Sequence, residues 1–274
     1  MANDTHPSRQ TERILDVMDP ARGQALQVAL GLPVTVAHGA PLPPFFHQIH
    51  FWAPEPPDRL GRDGHPQTGL GLIPDLGLPR RMWAGGRLEF HAPLRAGIPA
   101  ARHTSVARVD RKEGRTGILG FVTLRHDIHQ NGALCLTEEQ DLVYRADFAS
   151  TAPRPVPPRA RQDAEVTEPA WFTPTLLFRY SALTMNGHRI HYDSDYARGT
   201  EGYAGLVTHG PLLAQLLMLL AERQGGPLGA FDFKATAPVT VDEAVTLCAR
   251  ADGALWVTGA DGRQCMTAQA RFAS

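Results

Sequence analysis

Apolar positions recur at intervals of three and four between Ile14 and Leu30 (Ile14, Leu15 and Val17, then Ala25, Leu26, Val28, Ala29 and Leu30). The pattern predicts helix over residues 9–31, halted by Gly31-Leu32-Pro33. Residues 33–79 lose that periodicity and are crowded with Pro and Gly. A loop of that length in a compact domain is expected to be either mobile or functional, for example a cover over a substrate channel. Alternating and β-branched runs then take over: RLEFH from Arg87, HTSVARVDRK from His103, GRTGILGFVTLRHDI from Gly114 and ALCLTEEQDLVYR from Ala133 read as strands.

Residues 151–158 (TAPRPVPP) carry four prolines in eight positions, which neither a helix nor a central strand tolerates. A linker over 151–160 is therefore expected, dividing an N-terminal unit, 1–150, from a C-terminal unit, 161–274. The second unit ends in its own run of strands at 231–238, 244–250, 254–259 and 264–273. RLEFHAPLRAG near Arg87 and FDFKATAPVTVDE near Phe231 read as the same element, an alternating strand, a proline and a small-residue turn, which suggests duplication. Pattern alone gives an α+β fold of two similar units.

The chemistry is expected between Phe178 and Ala221. Asn186, His188, His191 and Asp193 crowd into eight residues with no apolar run that would make them core. Downstream, His209-Gly210-Pro211 precedes Leu212, Leu213, Leu216, Leu217, Leu219 and Leu220, the apolar side of a helix that starts at or beside Gly210. Imidazoles exchange protons near neutral pH. The first amides of a helix lack internal partners and sit at the positive end of its dipole, so the Gly210 N–H can polarise a carbonyl oxygen. Plainer roles stand beside these: Asn186 as a turn former, Asp193 as an N-cap for the residues after it, Trp83 as core.

At these residues the chain resembles the MaoC-like hotdog hydratases and dehydratases of acyl thioesters, whose motif reads D-x-N-P-x-H-x-D followed by H-G-[MP]-L. Here NGHRIHYD and HGPL stand in those places. The family's general-base aspartate is Asn186, its asparagine His188 and its proline Arg189. The wording is closest to the two-domain branch that includes itaconyl-CoA and mesaconyl-C4-CoA hydratases and hydroxyacyl-thioester dehydratase type 2, where asparagine at this place is usual. The resemblance implies a double hotdog, in which antiparallel sheet wraps a central helix in each unit.

It also implies a catalytic set of His191, Asn186, Gly210, His188 and Asp193. Substrate contacts are expected from Tyr192 and His209, and from Arg81, Trp83 and Gly85 of an R-R-M-W-A-G segment. Nothing in residues 33–150 repeats the catalytic motif, so the first unit is expected to bind substrate without supplying chemistry. With an amide at position 186, the second proton-transfer role falls to Asp193, His188 or a residue of the first unit.

The implied reaction is hydration of a 2-enoyl thioester on CoA or acyl-carrier protein, or the reverse dehydration. A hotdog thioesterase and a non-catalytic acyl-thioester binder are the alternatives. For a branched C5 dicarboxylic acyl group, Arg81, Arg179 or Arg189 would have to meet the free carboxylate. No metal and no cofactor beyond the CoA thioester are expected, and the glycines of GLGLIPDLG lack the strand-to-helix setting of a dinucleotide loop.

Bulk properties narrow the partners. A formal charge of −1 gives no reason to expect nucleic acid or an anionic membrane surface. Cys135, Cys248 and Cys265 form an odd set without metal-ligand spacing, which suits a reducing compartment. The most apolar stretch, 212–221, is too short to span a bilayer. A cytoplasmic enzyme is expected, as a homodimer or higher homo-oligomer.

Overall fold

The computed structural model describes residues 10–114, 117–147 and 156–273. In the first half lie β1 (Thr11–Asp16), α1 (Pro20–Ala29), β2 (Arg80–Phe90), β3 (Ala100–Gly114), β4 (Gly117–Gln130) and β5 (Ala133–Arg145). In the second half follow β6 (Val166–Ala170), α2 (Pro174–Leu183), α3 (Gly210–Gly225), β7 (Leu228–Ala235), β8 (Val245–Ala249), β9 (Ala254–Thr258) and β10 (Gln264–Phe272). All ten strands form one antiparallel sheet, ordered β1-β3-β4-β5-β2-β7-β10-β9-β8-β6.

The order 1-3-4-5-2 of the first five strands returns as 6-8-9-10-7, mirrored across the pairing of β2 with β7. The two segments that look duplicated in sequence are these two strands, and they pair with one another, Leu88 opposite Phe231 and Gly86 opposite Phe233. Backbone bonding repeats as well. The Cys135 carbonyl accepts from the His91 and Ala92 amides, and the Cys265 carbonyl accepts in the same way from Thr236 and Ala237. The predicted sheets are thus two halves of one. Residues 148–155, with Pro153 and Pro155, lie outside the described residues, while the end of the proline-rich run joins the sheet where the Ala160 amide meets the Gly262 carbonyl.

The helices break the symmetry. Both halves start with a strand and a short helix having Pro at its first position and a side-chain cap before it, Asp19 for α1 and Thr173 for α2. Only the second half has the long helix. Ten of the sixteen residues of α3 are buried, and it lies against β7, β8, β9, β10 and β2. In the first half α1 packs on α2 rather than under the sheet. The space is taken by Phe45, Phe46 and Ile49, all but sealed from solvent at one short 3-10 turn, Phe46–Ile49. Gln215 of α3, fully buried, donates to the Pro44 carbonyl at 2.7 Å and ties this turn to the helix.

Two predicted elements change. Residues 9–31 are not one helix: Thr11–Asp16 pairs with β3 as an edge strand, and Asp19-Pro20 begins α1 afresh. Short apolar runs satisfy both periods, and here a free sheet edge decides. The run 33–79 is ordered, and Gln48, His65 and Pro66 from it reach the main cavity. No helix among the described residues is long and apolar enough to cross a membrane.

The β2–β7 seam needs glycine. A Cβ on Gly85 would collide with the Phe233 carbonyl, beside a bulge between Trp83 and Gly85. Gly85→Ala is expected to destabilise the protein by about 2 kcal/mol through overpacking, measured as a lower urea midpoint at unchanged slope.

Candidate active site

Helix α2 ends so as to present Asn186. The Asn186 amide bonds the Ser181 carbonyl (2.9 Å), the Met185 amide approaches that of Ala182 (3.4 Å), and Met185 takes a left-handed φ of 52°. This is a Schellman termination, satisfying the last carbonyls while turning the chain sharply. Asn186 Oδ1 then accepts from the His188 amide at 3.0 Å, which leaves its amide NH2 as a donor toward the adjoining space. A 3-10 turn at Arg189–His191 follows and carries His191 inward.

His191 is held by Val207. Its Nδ1–H donates to the Val207 carbonyl at 2.7 Å, while the Val207 amide donates to the Ile190 carbonyl at 2.9 Å. A carbonyl can only accept, so the proton stays on Nδ1 and Nε2 keeps a lone pair. The ring stacks on His209, centroids 3.5 Å apart and 18° from parallel, and the His188 ring meets it edge-on at 5.4 Å. His209 Nε2 is hydrogen-bonded to Ser181 Oγ at 2.8 Å.

Next in the chain, Gly210 opens α3. Its amide makes no hydrogen bond to the described residues. A Cβ on Gly210 would have nothing closer than the Trp83 carbonyl at 3.9 Å, so the approach to that N–H is open.

These groups face a cavity of about 610 Å³. Of the expected residues, His191, Asn186, Gly210, His188, Arg81 and Trp83 line it. Four others do not. Asp193 is ion-paired to Arg189 at 2.7 Å and accepts from the Tyr196 amide at 2.9 Å, so it serves as a cap outside the cavity. Tyr192 is half exposed, its hydroxyl bonded to the Gly187 carbonyl on the outer face. Gly85 is confined to the strand seam. His209, with no exposed surface, lies behind His191 as its platform. Among the arginines considered for a carboxylate, Arg189 is taken by Asp193, and Arg179 is exposed and absent from the lining.

The first half supplies residues that pattern reading missed. Asp63-Gly64-His65 forms a turn in which the His65 amide donates to Asp63 Oδ1 at 3.0 Å. Gly64, at φ 87°, abuts Gly187 so closely that a Cβ would collide with its carbonyl, and the Arg189 amide donates to the Asp63 carbonyl at 2.8 Å. The His65 ring thereby lies 4.6 Å from His188, and both line the cavity. Nothing in the local pattern of GRDGHP distinguishes this from a surface turn; only its contact with Gly187 does. Tyr180 and Arg102 also reach the lining, and the Tyr180 hydroxyl is buried without a partner.

Burial controls the protonation of the site. It lowers His191 to about 4 against a pull upward from the Val207 bond. Burial, then the charges of His191 and Arg81, lower His188 to about 3, and burial and Arg81 hold His65 well below the usual range. His209 is likewise far below it through burial. At neutral pH the imidazoles are uncharged. Arg80 is locked to Glu201, whose other oxygen accepts from the Tyr196 hydroxyl at 3.2 Å. Among the described residues no three His, Cys, Asp or Glu side chains are placed to hold one metal ion.

Two like half-sheets around one cavity lined by imidazoles and a helix-terminal amide are the frame of a double-hotdog protein, and the relatives are hydro-lyases of acyl thioesters. A sequence profile of hydroxyacyl-thioester dehydratase type 2 matches residues 45–241, and the chain belongs to that family. It is 45% identical over 267 residues to mesaconyl-C(4)-CoA hydratase of Chloroflexus aurantiacus, covering 94% of both chains. In structure it resembles a MaoC-like dehydratase of Phytophthora capsici (TM-score 0.68, 11% identity, 97% and 96% of the chains). It also resembles a Mycobacterium tuberculosis protein with a double hotdog fold (TM-score 0.60, 14% identity, 95% and 94%).

Because His191 keeps its lone pair down to about pH 4, the acid limb of kcat/KM is expected near 4 rather than near 6.5, measured as a pH–rate profile. Stability should follow a different window. Unfolded histidines gain protons below about pH 6.5, while His191 and His126, both lowered to about 4 by burial, do not. Each therefore removes up to about 3 kcal/mol of stability as pH falls from 6.5 to 4, readable as a falling urea midpoint.

Proposed function

We propose that the chain hydrates a 2-enoyl-CoA whose acyl group is branched, C5 and dicarboxylic, as in mesaconyl-C4-CoA. The observation that carries the reaction is the His191 Nε2 lone pair facing the same cavity as the unpaired Gly210 N–H. The thioester oxygen accepts from that N–H, at the positive end of α3, as the Cα=Cβ electrons move toward it. Water, oriented by the Asn186 amide NH2 donors, bonds to Cβ through oxygen and gives its proton to His191 Nε2. The imidazolium returns that proton to Cα, the enolate collapses, and H and OH have been added with the base restored. Proton transfer on one face needs one base, which removes the demand for a carboxylate at position 186.

The first half, 1–150, forms the other wall of the cavity and supplies no base in this scheme. The finer substrate reading is supported by the 45% identical relative and by Arg81. No cofactor is required for these steps, since the helix terminus and imidazole provide electrophile and proton carrier. A homodimer in the cytoplasm remains part of the proposal; the three cysteines, all reduced and buried, suit that setting.

Mesaconyl-C4-CoA is expected to lose its enoyl ultraviolet absorbance with the purified protein, without release of free thiol. His191→Ala should lower the rate about 1,000-fold. Thiol release would instead make the protein a thioesterase, which uses the same polarised carbonyl but aims water at the thioester carbon.

A further inference from the structure

One wall of the cavity is richer in nitrogen than hydration requires. The His65 and His188 rings, 4.6 Å apart, and the guanidinium of Arg81 share it, two contributed by the first half and one by the second. Neither ring nitrogen of His65 or His188 has a protein partner among the described residues, and Arg81 makes no ion pair or hydrogen bond there. Yet Arg81 is near enough for its charge to act on both rings and on Asp63. Glu201 holds Arg80, and Asp63, whose Oδ1 accepts from the His65 amide, feels the Arg81 charge without forming an ion pair with it. A partly buried cation beside two neutral imidazoles, with no carboxylate in ion-pair contact, is an arrangement suited to an anionic guest.

His188 meets His191 edge-on at 5.4 Å. A water on His191 Nε2 that attacks Cβ must lie about 3–3.5 Å from that carbon, which brings Cβ close to the wall that His188 shares with His65 and Arg81. Of the other lining arginines, Arg80 is held by Glu201, Arg145 has an interaction of its own, and Arg102 acts on Glu138 and His126 instead.

We propose that Arg81, His65 and His188 form a carboxylate subsite spanning both halves, which selects acyl thioesters bearing a free carboxylate on Cβ. The guanidinium offers two parallel N–H donors and each imidazole one more. This rests on the hydratase reading, since His191 as base is what locates Cβ. In mesaconyl-C4-CoA the thioester is at C4, so Cβ carries a carboxylate and a methyl group.

The test uses two saturated thioesters that can be neither hydrated nor dehydrated. Succinyl-CoA has a carboxylate on Cβ, and butyryl-CoA has a methyl group there. Calorimetric dissociation constants are expected to favour succinyl-CoA by about 30-fold in the wild type. The preference should fall below about 3-fold in Arg81→Gln. His65→Asn should lose part of it, and Arg81→Lys, which keeps the charge but not the fork, should retain part. Equal binding of both by the wild type would overturn the subsite, as would a preference that survives Arg81→Gln and His65→Asn or that disappears in Arg102→Gln instead. The enoyl absorbance assay runs separately. Preference without hydration would sink the hydratase reading and leave the subsite, whereas hydration of mesaconyl-C4-CoA without preference would do the reverse.

Discussion

The bond from His191 Nδ1 to the Val207 carbonyl is the constraint on which the site depends. It joins two motifs sixteen residues apart, because Val207 also bonds Ile190 and is followed within three residues by the Gly210 helix start. One contact therefore sets the tautomer, the ring plane and the distance between base and electrophile. His209 completes it from behind, stacked on His191 and tethered by Ser181. Since burial keeps these rings neutral, the base is ready without a carboxylate to orient it.

Duplication explains the frame, and the loss of one helix explains the room inside it. The halves repeat strand order, helix caps and the paired amides on Cys135 and Cys265. A second long helix would occupy the first half as α3 occupies the other. The Phe45–Ile49 segment is smaller, and the chain after it is free to run toward α2 and leave His65 against His188. Two glycines make this approach possible, since Gly64 and Gly187 touch backbone to backbone where neither tolerates a Cβ. The half without the catalytic motif still contributes His65 and Arg81 to the cavity.

Electrostatic economy runs through the cavity wall. Arg80 and Glu201 neutralise one another there, Arg189 and Asp193 pair outside it, and the imidazoles of the wall are uncharged. Arg81 is then a cation facing the cavity beside His65 and His188, with Arg102 and Arg145 also in the lining. A low-dielectric wall strengthens the attraction between a cation and an anion brought to it, so the proposed subsite would select substrates by charge rather than by chain length.

Much of this was legible in the chain itself. The end of β2 from Arg87, β3 to β5 and β7 to β10 follow from alternation, while the start of β2 at Arg80 does not; α3 follows from its leucines and from His209-Gly210-Pro211, and the placing of His191 and Gly210 from a motif compact enough to be local. Those features depend on neighbours within a few residues, where periodicity and capping act. What tertiary structure decided lies across longer separations. Residues 11–16 became a strand because β3 offered an edge. Asp193 and Tyr192 share the motif with His191 yet turn outward, since a 3-10 turn sends consecutive residues to different sides. His65, more than a hundred residues from His188, entered the site through a glycine contact that no pattern in either segment encodes. Sequence determined which groups could do chemistry; packing between the halves determined which of them meet.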